Sequence, residues 1–169
     1  QAVKGTVIMA YGNAGDDDEL KALFTMQPST QICNLSIFYP EQDPGNVTKY
    51  PPSILYGQKG YFGNDYCNVR NVTLVNSYKG VMFSTYNNGG CPNIFGLYGT
   101  PLYQGVLMDR IADVGRFDHI DFSPAYWAGA SLGNVYSESE IKNYTYNNGT
   151  GFVMRRNDWS YTCNYTCEG

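Results

Sequence analysis

Alternation of apolar and polar positions over short runs is the dominant pattern along this chain, and it predicts strands. Residues 2–11 (AVKGTVIMAY) read as a strand, with Val3, Val7 and Met9 on one face and Thr6, Ile8 and Ala10 on the other. Its far half is apolar on both faces, which predicts burial on both sides or a contact between chains, with Val3, Val7, Ile8 and Met9 as the contact residues. Residues 31–39 (QICNLSIFY), a short stretch over 53–61, and 117–122 (FDHIDF) are further strands. Residues 40–52, rich in proline, form a surface loop.

The centre of the chain reads as a hairpin, with strands at 73–78 (TLVNSY) and 81–86 (VMFSTY) around a Lys79-Gly80 turn. Residues 143–159 repeat that pattern as strand, Asn-Gly turn, strand. A helical period occurs over 16–26, where Leu20, Leu23 and Phe24 form a stripe and Asp16 with Glu19 makes a capping-box pattern. Residues 106–114 fit a helix or a strand equally, and no internal repeat is apparent. The fold expected from these elements is mainly β. It is an antiparallel, sandwich-like single domain over 1–169, with one short helix and long Gly/Asn/Pro loops, and α+β is the alternative.

Composition sharpens the picture. Charged residues make up 15% and the net charge is −4, which excludes a basic nucleic-acid surface, and no apolar run reaches the length of a membrane span. Tyrosine (16) outnumbers phenylalanine (8), which suits contacts that stay partly wet, such as sugars or partner proteins. Six Asn-x-Ser/Thr acceptors occur, at Asn34, Asn46, Asn71, Asn143, Asn148 and Asn164, where chance gives roughly two. They point to a secreted, N-glycosylated protein at an extracellular surface, and the start at Gln1 reads as a mature terminus after loss of a leader.

Five cysteines extend that reading to disulfides. The hairpin register sets Cys67 opposite Pro92, so a bulge at Gly80 would bring Cys67 and Cys91 face to face. Cys33 then pairs with Cys163 or Cys167, leaving one thiol over. A zinc site at Cys163 and Cys167 lacks a second ligand pair, and neither metal nor cofactor is expected.

Catalysis would have to use the single histidine, His119. No nucleophile elbow accompanies it, and in a regular strand Asp118 and Asp121 point to opposite faces. Residues 117–122 resemble the acidic strand of family-18 chitinases. Ser123 and Ala125 stand where that family's third Asp and catalytic Glu would be, so the acid its chemistry needs is missing. The expectation is a non-catalytic structural subunit of an extracellular assembly, partnered by copies of itself or a surface protein. A receptor- or glycan-binding domain is the alternative, and a carbohydrate-active or ester hydrolase ranks third.

Overall fold

A computed structural model describes residues 5–57, 65–83 and 88–168. The described residues form eleven strands: β1 (Thr6–Met9), β2 (Phe24–Met26), β3 (Gln31–Phe38), β4 (Pro52–Tyr56), β5 (Asn68–Leu74), β6 (Lys79–Phe83), β7 (Asn93–Gly99), β8 (Gln104–Met108), β9 (Gly115–Phe122), β10 (Thr150–Met154) and β11 (Ser160–Cys167). Two helices, α1 (Ala125–Ala128) and α2 (Glu138–Asn148), lie between β9 and β10.

Odd-numbered strands form a six-stranded sheet in the order β1-β3-β5-β7-β9-β11, and even-numbered strands form a five-stranded sheet in the order β10-β8-β6-β4-β2. All of these pairings are parallel. Parallel neighbours need a crossover. Here each crossover is a strand of the opposite sheet, so every turn of the chain adds one strand to each sheet. The result is a two-sheet β-solenoid, whose coils contact mainly the coil before and the coil after.

This overturns the antiparallel sandwich. The central hairpin does not form: Thr73 and Leu74 end β5 in one sheet, while Val81 lies in β6 of the other. Lys79 and Gly80 open β6 rather than turn the chain, and the corner is made by buried Asn76 and Ser77. Asn76 fits a buried corner because its amide bridges two coils, with Oδ1 accepting from the Tyr39 N–H at 2.8 Å and Nδ2 donating to the Tyr39 carbonyl at 3.0 Å. Residues 84–86 of the expected second strand lie outside the described residues. The helix expected over 16–26 shrinks to one 3-10 turn, Glu19–Lys21, capped by Asp18. Leu20 and Leu23 are exposed there, and Phe24 already belongs to β2. Conversely, the hairpin expected over 143–159 begins as α2, whose Ser137 and Glu140 form a reciprocal capping box.

The core lies between the sheets as columns of side chains matched by register. Leu35, Val72, Leu97 and Ile120 stack in the long sheet, and Ile54, Val81, Val106 and Phe152 stack in the short one. Full burial of such a side chain contributes about 1.5–3 kcal/mol. A repeat of roughly 25 residues therefore exists between Val72, Leu97 and Ile120, hidden in the sequence by insertions of unequal length elsewhere.

Gly80, Gly105 and Gly151 occupy matching positions in β6, β8 and β10. A methyl group at Gly105 would meet the Gly151 carbonyl oxygen at 2.5 Å and the Phe122 ring. Gly105→Ala is expected to cost about 1–3 kcal/mol through overpacking, measured as a lower urea midpoint at unchanged slope.

Candidate functional site

The outer face of the six-stranded sheet carries the candidate site. One residue near the middle of each of five consecutive strands is left-handed: Asn34 (φ 58°), Asn71 (50°), Gly96 (78°), His119 (54°) and Asn164 (50°). Each precedes a member of the inward column Leu35, Val72, Leu97, Ile120 and Tyr165. The left-handed region costs most residues roughly 1–2 kcal/mol, and glycine and asparagine least. Gly96 has a second reason: a side chain there would meet Asn71 Oδ1 at 2.8 Å.

This extra residue breaks the two-residue alternation. Asp118 and Asp121 both lie on the outer face, while Phe117, Ile120 and Phe122 point into the core. The expectation that these carboxylates take opposite faces fails for that reason. Asp118 Oδ1 accepts from Asn164 Nδ2 (2.8 Å), Cys163 Sγ (3.2 Å) and His119 Nδ1 (2.9 Å). These hydrogen bonds, from Asn164 first, hold its carboxyl below the ordinary range, while the bond it accepts pushes the Cys163 thiol up. Asp121 accepts from the Tyr126 hydroxyl at 2.6 Å and from the Thr166 hydroxyl. His119 is exposed and stacks on Phe95, centroids 6.2 Å apart.

Beside Phe95 lies a groove of about 270 Å³ lined by Gln31, Asn68, Val69, Arg70, Asn93 and Phe95. Asn93 Nδ2 donates to Asn68 Oδ1 at 2.9 Å, which fixes both amides along its floor. Phe95 is 48% exposed, a large apolar surface beside the amides of the groove. Sequence reasoning missed Arg70, Phe95 and this groove. Their signal is the recurring order of one outward residue, one left-handed residue, then an inward apolar one.

All six acceptor asparagines are exposed. Asn46 sits in the loop before β4, and Asn143 and Asn148 lie on α2. Asn34, Asn71 and Asn164 belong to the left-handed column, with Asn71 Nδ2 donating to Asn34 Oδ1 at 3.3 Å. Ser36, Thr73 and Thr166 share one register level, so half of the Asn-x-Ser/Thr recurrence has a structural origin in the coil.

The expected disulfides are absent: Cys33, Cys67, Cys91, Cys163 and Cys167 are all free. Cys33 and Cys163 lie on one level but four strand spacings apart, roughly 19 Å, far beyond bridging distance. Cys167 lies further along the same distant strand. Cys67 is buried and points its thiol to the Gln27 carbonyl at 3.0 Å instead of to Cys91. Of the expected assembly residues, Val7 and Ile8 pack partly against the core, Met9 is 43% exposed, and Val3 lies outside the described residues.

Comparison of the chain with protein-family models, curated proteins and solved structures finds no match.

Because the folded state depresses the Asp118 carboxyl, its contribution to stability is complete above the unfolded carboxyl pKa, about 4, and is lost as pH falls through the lower folded value. Denaturant unfolding followed from pH 6 to pH 2 is expected to show a shallower loss for Asp118→Asn than for the parent.

Proposed function

We propose that this chain is a non-catalytic glycan-binding domain whose binding surface is the outer face of the long sheet. The observation that carries this reading is the exposed Phe95 ring beside a groove lined by amides and a guanidinium. A sugar ring offers a C–H face that packs on an aromatic ring and a rim of hydroxyls that need donors and acceptors. Gln31, Asn68, Arg70 and Asn93 supply that rim.

The chemistry of the neighbouring residues favours binding over hydrolysis. A glycosidase needs one carboxyl with a raised pKa to act as an acid. Asp118 is shifted the other way, and Asp121 accepts hydrogen bonds on both oxygens. Cys163 is held toward the thiol, so it is no nucleophile.

Assembly through the first strand is the second reading. Strand β1 pairs with β3 alone among the described residues, and Met9 is exposed on it. An extracellular location is supported by the six exposed acceptor asparagines, while five unpaired thiols weigh against an oxidising compartment.

Glycan-array binding followed by calorimetry tests the proposal. Phe95→Ala is expected to weaken binding at least tenfold while leaving thermal stability and sedimentation unchanged. A protein that binds no glycan and sediments as a polymer would hand the function to the assembly reading.

A further inference from the structure

The polar groups on this face are unequally satisfied. Its two central carboxylates are occupied: Asp118 by Asn164, Cys163 and His119, and Asp121 by Tyr126 and Thr166. The cations are not. Among the described residues, Arg70, Arg110 and Arg116 have no carboxylate within ion-pair distance, whereas Lys21, Lys49, Lys79, Lys142, Arg155 and Arg156 all do. Arg70 and Arg116 both belong to the long sheet and both are exposed. Arg70 lines the groove. Arg116 stands on β9 at the register level of Gln31, Asn68 and Asn93, extending the groove's polar edge.

The acidic side chains do not neutralise this region. Two of the three donors to Asp118 come from β11, on the side away from Arg70 in β5. A net charge of −4 for the whole chain therefore coexists with a groove whose open capacity is cationic. Neutral hydroxyls need donors and acceptors in balance. A carboxylate needs donors alone, and a planar guanidinium fork matches its two oxygens.

We propose that the groove recognises an acidic sugar, a hexuronic acid unit of a polysaccharide, with Arg70 on its carboxylate and Phe95 against its ring. This inference rests on the glycan-binding reading and names the ligand class for that same groove.

The test compares hexuronic acid oligosaccharides with the same oligosaccharides after carboxyl reduction, by calorimetry on the full chain. The acidic forms are expected to bind at least tenfold more tightly, with affinity falling as salt rises. Arg70→Gln should remove that preference, so that the acidic and reduced forms bind with the same affinity. Because Arg70 is exposed and unpaired, its melting temperature should match the parent's, and Arg70→Lys should restore part of the preference. Equal binding of acidic and reduced forms, unaffected by Arg70→Gln, overturns the acidic-sugar inference and leaves the glycan reading standing. Binding of neither form, in the parent and in Phe95→Ala alike, overturns both.

Discussion

Five of the six coils of this solenoid depend on one left-handed residue near the middle of the long-sheet strand. Without it, a strand alternates strictly, and the outward residues before and after the midpoint keep a fixed two-residue phase. With it, the strand gains one residue, and its outward positions are reset. The column Asn34, Asn71, Gly96, His119 and Asn164 does this at the same level five times. It keeps Leu35, Val72, Leu97 and Ile120 in one inward column while placing Cys33, Arg70, Phe95 and Asp118 together outside. Stacking repeats the device, because a parallel ladder aligns equivalent residues of successive coils.

The strands themselves were legible, and their partners were not. Alternation identified the segments that became β3 and β9, and proline identified the loop before β4. Alternation cannot say whether the next strand returns beside the last or crosses to another sheet. Residues such as Asn76 and Ser77 serve a solenoid corner as readily as a turn, and Gly80 serves a strand where close packing excludes a side chain. The error at α2 is of the same kind: Asn148 and Gly149 read as a hairpin turn but end a helix begun by the Ser137 cap. The repeat was visible in principle. NLSI, NVTL, GLYG, HIDF and NYTC each follow an outward residue and share one pattern, a left-handed former, an inward residue, an outward residue, an inward residue. Three of these five also spell a glycosylation acceptor, and that second meaning concealed the first.

The candidate site was legible in part. Asp118, His119 and Asp121 stood out from their types alone, but strict alternation separated the two carboxylates that the left-handed His119 brings to one face. Phe95 and Arg70 lie far apart in the chain and become neighbours through the β5–β7 register. No local pattern could join them before the parallel pairing was known. The functional reading follows from that placement. The carboxylates of this face are spent on its own side chains, and an aromatic ring, amides and a guanidinium remain for a ligand.

Nuclear Overhauser contacts in a labelled sample distinguish parallel stacking of the coils from a hairpin. Parallel pairing predicts backbone amide contacts linking β5 to β7 around Val72 and Leu97, and β7 to β9 around Leu97 and Ile120, with no close contacts between α-protons across strands. In an antiparallel hairpin, facing non-hydrogen-bonded residues bring their Cα atoms to about 4.5 Å and their α-protons into strong contact. Such contacts between residues 73–78 and 81–86 would contradict the solenoid and everything placed on its outer face.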